Sequence, residues 1–202
     1  MFQKGLSRTS VNQIARTAEL SIGTVYFYFE NKEDIFASLQ AEGLEILYGE
    51  VLNAGRPADT PEAKLFKVAA AYRQFSEAHK NYFDVIHYFL SATDVVFSPA
   101  VKQQIDRHGQ RILRLVEAVI EEGVAAGSFR PIPARRYALL FWGMIHGLIP
   151  FRKMRATLLG EDSHRALCHS AVVNFIAGLR CASADRMVGE VEPFRSFPTA
   201  SE

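Results

Sequence analysis

Small polar and aromatic residues that can contact a nucleic acid lie close together near the start of the chain. Ser21, Gly23 and Thr24 are small, so the backbone that carries them can approach a DNA surface closely. Tyr26 and Tyr28 carry hydroxyls suited to phosphate oxygens, and a lysine follows a few residues later. The pattern indicates a DNA-contacting surface, although an ordinary pair of packed helices without a DNA role is an alternative of about equal weight.

Three predicted helix starts position these side chains. Ser10 and Gln13 have the spacing of a capping box, which predicts a short helix that ends near Thr17. Ser21 is an N-cap candidate for a second helix, and Asn31 for a third helix with acidic residues in its first turn. Two short helices joined by a tight turn are typical of the helix-turn-helix motif, which places the second helix in a DNA major groove.

This part of the chain resembles the DNA-binding domain of the tetracycline-repressor (TetR) family of bacterial transcription regulators in three segments: Ser10-Val-x-x-Ile-Ala, Ser21-Ile-Gly-Thr-Val-Tyr-x-Tyr-Phe and Asn31-Lys-Glu. The resemblance implies an all-α homodimer. Its N-terminal helix-turn-helix domain would bind operator DNA, and its larger C-terminal domain would bind a small molecule that releases the DNA. Together with the residue chemistry, it implies DNA contacts by Ser10, Asn12, Ser21, Ile22, Gly23, Thr24, Tyr26, Tyr28 and Lys32.

The motif departs from the family pattern at two positions. Many family members have a histidine where this chain has Phe27, and a phenyl ring cannot donate a hydrogen bond to phosphate. The turn between the two helices usually carries glycine, whereas this chain has Glu19. A non-glycine residue at positive φ costs about 1 kcal/mol, so we expect a strained or altered turn.

The helix that precedes the motif in the family is expected to be truncated here. Residues 1–5 resemble only its last turn and its glycine C-cap. Without the rest of that helix, we expect the apolar faces around Ile14, Val25 and Phe29 to be partly exposed. A misplaced start is the favoured explanation, a chain that truly lacks the helix is the alternative, and the absent segment is expected to carry basic residues.

Length, charge and cysteine content fit a cytoplasmic regulator without identifying one. The chain has 202 residues and a net charge of +1, and residues 1–40 carry equal numbers of basic and acidic side chains. A neutral DNA-binding surface argues weakly against tight binding, because affinity depends on phosphate neutralisation. No signal peptide or long apolar run is evident, and Cys168 and Cys181 are too few for a disulfide framework.

The remaining sequence predicts helices throughout. We expect residues 1–54 to form the DNA-binding domain with a connecting helix, residues 55–182 to form the ligand-binding and dimerisation domain, and residues 183–202 to be a mobile tail. The helix of about residues 134–149 is expected to end at Pro150.

Aromatic residues with interspersed histidines suggest a small-molecule site in the C-terminal part. A mostly apolar cavity with a few polar groups is how such pockets are built, and the expected ligand is apolar or aromatic. For any single aromatic residue, a place in the core is the commoner outcome. The candidate ligand-binding residues are Phe75, Phe83, His87, Trp142 and His146.

Two apolar stripes suggest a dimer interface. A Gly-x-x-x-Gly pattern leaves a strip where a second helix can pack closely, and two helices per subunit would give a four-helix interface with two-fold symmetry. The alternative is that both stripes face the core of the subunit. The candidate interface residues are Leu140, Gly143, Met144 and Gly147 on one helix, and Leu167, Ala171, Val172, Phe175 and Leu179 on the last.

Two other classes of function are alternatives to a ligand-responsive repressor. For an enzyme, the sequence offers no phosphate loop or nucleophile elbow, and Glu121 and Glu122 are adjacent, so they point in different directions. His164 and Cys168 share a helical face but lack a third metal ligand, so no cofactor or metal is expected. The third class is a ligand-binding helical dimer that has lost DNA binding through its truncated N-terminus.

Overall fold

The computed structural model describes residues 9–91, 99–154, 157, 159 and 163–180, and the described part is helical. In chain order the α-helices are α1 Val11–Thr17, α2 Ile22–Tyr28, α3 Lys32–Ala54, α4 Pro61–Ala78, α5 Lys80–Ser91, α6 Pro99–Ala125, α7 Ala134–Leu148 and α8 His164–Arg180. The predicted turn over residues 1–5, Cys181 and the predicted tail lie outside the described residues.

Local capping chemistry fixes the start of each N-terminal helix. Ser10 and Gln13 form the predicted capping box at α1. The Ser21 hydroxyl accepts a hydrogen bond from the Thr24 N–H at α2, and the Asn31 side chain accepts one from the Asp34 N–H at α3. In the turn between α1 and α2, Glu19 adopts a φ of 58°, the left-handed conformation expected where the family has glycine.

A small core holds α1, α2 and the first turns of α3 together as an N-terminal unit. Ala15, Val25 and Ile35 are buried in it. The expectation that Val25 would be partly exposed is wrong, since only 5% of its surface is accessible. Ile14 and Phe29 are half-buried, as expected. The inward face of α2 is covered in this core by side chains of α1 and α3.

The larger core joins α3, α4, α6, α7 and α8. Leu47, Leu65, Val116, Ile120 and Phe141 are completely buried in it, one or two from each of the first four helices. Completely buried apolar side chains stabilise a fold by about 1.5–3 kcal/mol each, so this cluster dominates the stability of the C-terminal part.

The end of α7 differs from the prediction. The α-helix ends at Leu148, and a 3-10 helix, Ile149–Met154, continues through Pro150. Proline lacks an N–H and its ring crowds the carbonyl four residues earlier, so the chain tightens there instead of stopping.

Candidate nucleic-acid interface and ligand cavity

The first turn of α2 carries small side chains whose hydroxyls are exposed. Ser21 Oγ accepts from the Thr24 N–H at 3.0 Å and lies 2.7 Å from Thr24 Oγ1. Both hydroxyls are thus held by the helix start while remaining exposed. A Cβ added at Gly23 would have Ser21 Oγ as its nearest neighbour, at 3.7 Å, so packing within the protein does not require a glycine here. The missing side chain instead leaves the backbone of α2 accessible from outside.

Exposed aromatic rings follow on the same helix. Tyr26, Phe27 and Tyr28 are all exposed, with Phe27 81% accessible, and Ile22 is exposed one turn earlier. The Phe27 and Tyr28 rings meet edge to face at 5.1 Å between centroids. Clustered exposed apolar residues mark interaction surfaces. The sequence-based prediction of DNA contacts omits Phe27 and also Leu20, which is exposed as well.

The remaining predicted DNA contacts flank α2. Ser10 and Asn12 are exposed at the start of α1. Lys32 is half-buried, with Nζ 4.0 Å from Glu33 Oε1, so a neighbouring carboxylate already faces its charge. The polar atoms of α1 and α2 are therefore accessible, and from residue 9 to residue 40 the basic side chains are Arg16 and Lys32.

A cluster of aromatic and histidine rings lies deep between α4, α5 and α7. Tyr72 lies at its centre and contacts Trp142 edge to face, with 4.8 Å between ring centroids. The Phe83 ring stacks on His87 at 5.9 Å and lies 5.7 Å from His146. Phe83, His87, Trp142 and His146 are thus brought together as predicted. Phe75 is completely buried and packs instead against His79.

Hydrogen bonds connect three of these rings. The Tyr72 hydroxyl bonds His146 Nδ1, and His146 Nε2 lies 3.1 Å from His87 Nδ1. We assign the Tyr72 hydroxyl as donor, because a buried hydroxyl hydrogen without an acceptor is costly; His146 Nε2–H then donates to His87. Burial, followed by the nearby His87, lowers the pKa of His146 to about 4. Burial and then Lys153 lower the pKa of His87, while Asp84 opposes the shift.

The cavity that Trp142 lines does not open onto this cluster. It has a volume of about 310 Å³ and lies between α3, α5, α6 and α7. Its apolar wall includes Leu44, Ile86, Ile105, Leu113, Leu139 and Trp142. Of the five predicted ligand residues only Trp142 lines it. Phe75 and Phe83 are core residues, and His87 and His146 bond each other and are not among the residues that line this cavity. Their assignment to a ligand site stays a prediction.

Gln40 is a buried polar residue of the cavity that the prediction missed. It is 4% exposed, lines the cavity from α3, and its Oε1 has no hydrogen-bond partner among the described residues. A signal was present in the sequence: Gln40 interrupts the apolar stripe of α3 at the helical spacing between Phe36 and Leu44.

The predicted interface residues divide between surface and core. Leu140, Gly143 and Gly147 are exposed on one side of α7, and Met144 is half-buried against the core. On α8, Leu167, Ala171 and Phe175 are half-buried. Val172 and Leu179 are 2% and 0% exposed within the subunit's own core, so their assignment to a dimer surface is wrong. The exposed apolar residue of α8 is their neighbour Val173.

The His164–Cys168 pair is structural. Cys168 Sγ lies 3.7 Å from His164 Nε2, but that nitrogen is also 2.9 Å from the Leu148 carbonyl oxygen, to which it can donate. Burial raises the pKa of the Cys168 thiol, which disfavours the thiolate that binds metal. Over the described residues, no three His, Cys, Asp or Glu side chains converge as a metal site would require. Nor does any described helix combine the length and apolarity needed to cross a membrane.

Two protein-family models match this chain. Residues 1–39 match the family model for "Bacterial regulatory proteins, tetR family". Residues 65–175, more than half of the chain, match "Tetracyclin repressor-like, C-terminal domain". The chain belongs to the TetR family. The helix-turn-helix formed by α1 and α2 is therefore the TetR-family DNA-binding motif, and α4–α8 contain its TetR-type C-terminal domain.

Individual TetR-family relatives are distant. The fatty acid metabolism regulator protein of Bacillus subtilis is 24% identical over 128 residues, which are 63% of this chain and 64% of the relative. The HTH-type transcriptional repressor KstR2 of Mycolicibacterium smegmatis is 28% identical over 63% of this chain and 61% of its own. The chain thus spans less than two thirds of these curated relatives. FadR from Bacillus subtilis in complex with stearoyl-CoA shares the fold, with a TM-score of 0.72 and 22% identity over 86% of this chain and 90% of FadR.

Proposed function

We propose that this TetR-family protein is a ligand-responsive, DNA-binding transcriptional regulator that acts in the cytoplasm as a repressor. The observation that carries the proposal is the surface of α2. Its first turn carries only small residues apart from Ile22, its aromatic residues are exposed, and only Val25 is buried against the rest of the N-terminal unit. A helix that merely packed would bury its large apolar rings, whereas one that enters a major groove leaves them accessible.

A homodimer supplies the second half of the DNA site. The exposed strip of Leu140, Gly143 and Gly147 on α7, continued by α8, is the surface we assign to the partner. To read a palindromic operator, such a dimer would have to hold its two α2 helices about 34 Å apart, the spacing of the half-sites.

The effector is proposed to be a small apolar or aromatic molecule that enters the C-terminal part and releases the operator. Helix α3 is the connection: Ile35, Phe36 and Leu39 pack in the N-terminal unit or against α5, and Gln40 and Leu44 line the cavity one turn later. A ligand that favours one position of α3 would change the separation of the two α2 helices, and both half-sites would be lost together.

A ligand-binding helical dimer without DNA binding is the second candidate. Residues 1–40 carry four basic and four acidic side chains, and Lys32 already faces Glu33. Because DNA affinity depends on neutralised phosphates, this charge balance favours weak binding by these residues.

Binding to DNA from the encoding locus separates the two candidates. Fluorescence anisotropy would be measured with labelled fragments flanking the gene, over a series of salt concentrations. Removing one phosphate-directed hydroxyl with Tyr26→Phe should weaken binding about 2- to 12-fold. Lys32→Ala should also reduce the slope of log affinity against log salt by about one.

The matched control is Tyr48→Phe, which removes a hydroxyl from α3 outside the N-terminal unit and should leave DNA affinity unchanged. If Tyr26→Phe and Lys32→Ala leave DNA affinity unchanged, or if no fragment binds at all, the second candidate is favoured. Adding stearoyl-CoA, the ligand of the FadR structure, tests one effector class: release of a bound fragment supports regulation by acyl compounds.

A further inference from the structure

Phe27 is the most exposed large apolar side chain among the described residues. Its accessible fraction is 81%, and its ring meets that of Tyr28 edge to face, with 5.1 Å between centroids. So exposed a ring adds little burial to the fold, and clustered exposed apolar groups mark interaction surfaces. Many TetR-family members have a histidine at this position, so the motif itself does not require the phenyl ring.

Helix geometry places Phe27 on the outward side of α2. An α-helix turns by about 100° per residue. Val25 is 5% exposed and marks the inward side. Phe27 then lies about 200° from Val25 and Gly23 about 160° from it, so both are close to the line directly opposite the buried residue. Ile22 is also exposed, but it lies only about 60° from Val25. Phe27 is therefore the large apolar group on the outermost line of α2.

The two tyrosines of α2 lie on either side of this line. Tyr26 is about 100° from Val25 in one direction, and Tyr28 is about 60° from it in the other. In a major groove this arrangement directs the hydroxyls toward the two phosphate backbones and Phe27 toward the base edges between them. The seven residues of α2 span about 10 Å, less than the groove width of about 12 Å, so Phe27 also lies within the groove.

The base edges of the major groove offer a phenyl ring one apolar partner. Guanine, cytosine and adenine present hydrogen-bonding atoms there, whereas thymine adds a C5-methyl group beside its O4 acceptor. A phenyl ring that covers a polar edge removes water from it without replacing the hydrogen bond, which is unfavourable. A ring that covers a methyl group buries apolar surface on both partners. The chemistry of the Phe27 side chain therefore favours thymine.

We propose that Phe27 determines part of the operator sequence, by packing its ring against the C5-methyl group of a thymine in each half-site. The inference rests on the proposed DNA-binding function and adds the chemistry of one base contact. A histidine at the same position would instead present a ring nitrogen that can donate to an acceptor, so relatives that carry one would not share this preference.

Replacing thymine by uracil tests the contact, because uracil pairs in the same way and lacks only the methyl group. A fragment from the encoding locus that binds the wild-type protein would be synthesised with deoxyuridine at every thymine position, and then at one position at a time. Fluorescence anisotropy should show an affinity loss of about 4-fold for the decisive thymine of one half-site, and about 15-fold when both half-sites are substituted. If no uracil substitution weakens binding, the proposal is overturned, while binding of the thymine fragment leaves the DNA-binding function intact.

Substitution of Phe27 assigns the contact to one side chain. Phe27→Ala should leave the melting temperature unchanged, because the ring is exposed, and should bind the thymine fragment and the decisive uracil fragment with equal affinity. Phe27→Leu keeps an apolar side chain and should retain part of the preference for thymine. The matched control is Leu52→Ala, which truncates an apolar side chain that is 51% exposed on α3 outside the N-terminal unit; it should show the full wild-type preference.

A uracil effect that persists in Phe27→Ala at the same position also overturns the proposal, since another side chain then contacts the methyl group. If no fragment from the locus binds the wild-type protein, the DNA-binding function fails and the inference falls with it. The two failures are distinguishable, because thymine and uracil are compared only on a fragment whose binding has already been measured.

Discussion

Mild acid should destabilise the protein through the half-buried pair of His87 and His146. His146 accepts the Tyr72 hydrogen bond on Nδ1 and bonds His87 through Nε2, so a proton added to His146 has to displace the Tyr72 bond. Burial lowers the pKa of both histidines in the folded protein, and that of His146 falls to about 4. In the unfolded chain the pKa of each histidine returns to about 6.5.

The sign and size of the effect follow from linkage. Between pH 6.5 and about 4 the unfolded chain binds a proton at His146 that the folded protein refuses, so stability rises with pH across this window and is complete above it. For His146 alone, the loss on going from pH 7 to pH 5 comes to about 2 kcal/mol. The ring is half-buried, and solvent screening reduces the loss to about 1–2 kcal/mol. The pKa of His87 is also lowered in the folded protein, so it adds a loss of stability of the same sign.

Urea unfolding followed by Trp142 fluorescence measures this loss, because that ring contacts Tyr72 beside the pair. The wild-type protein and His146→Asn would be compared at several pH values and one protein concentration, since the proposed dimer would make stability depend on concentration. Asparagine can accept the Tyr72 bond but does not titrate. We expect the wild-type curve to fall by about 1–2 kcal/mol more than that of the variant between pH 7 and pH 5. Parallel curves would refute the assignment of the acid effect to His146.

Three further substitutions test the turn, the core and the proposed dimer. Glu19→Gly should stabilise the protein by about 0.5–1 kcal/mol in thermal unfolding, because it relieves a φ of 58°, and a lower melting temperature would contradict this. Gly123→Ala should cost about 1–3 kcal/mol, since its Cβ would lie 2.1 Å from the Phe129 ring; Gly49→Ala, at an open position, should show no such loss. Gly147→Leu should convert the dimer to monomers in sedimentation velocity without unfolding it, because the position is open within the subunit; a dimer that persists would place the interface elsewhere, and Gly49→Leu is the control.

The N-terminal unit is predictable from sequence because local chemistry determines it. Ser10, Ser21 and Asn31 each lie three residues before the N–H that they accept from, so spacing alone indicates where α1, α2 and α3 begin. Gly127 ends the turn after α6 with a φ of 73°, as glycine C-caps do. The burial of Val25 could not be anticipated, because it depends on how α1, α2 and α3 pack against one another.

The site in the C-terminal part is less predictable because periodicity identifies an apolar face without identifying what covers it. Val172 and Leu179 have the spacing expected of an interface, yet they close the subunit's own core. The rings of Phe83 and His146 do meet, but as packed groups without a cavity between them. Where a void remains between helices depends on side chains from four segments distant in sequence, and no local pattern encodes it.

Helix α7 contributes side chains both to the hydrogen-bonded ring cluster and to the wall of the cavity. His146 bonds Tyr72 and His87 on the inward side, while Trp142, one turn earlier, contacts Tyr72 and also forms part of the cavity wall. A ligand in this cavity would therefore touch the same Trp142 ring that packs on the hydrogen-bonded Tyr72. On the other side of the cavity, α3 contributes Gln40 to the wall and, one turn earlier, Phe36 to the contact between the N-terminal unit and α5. Of the helices that line the cavity, α3 is the one that also belongs to the N-terminal unit, so the proposed effector would act on the DNA-binding side of the molecule through α3.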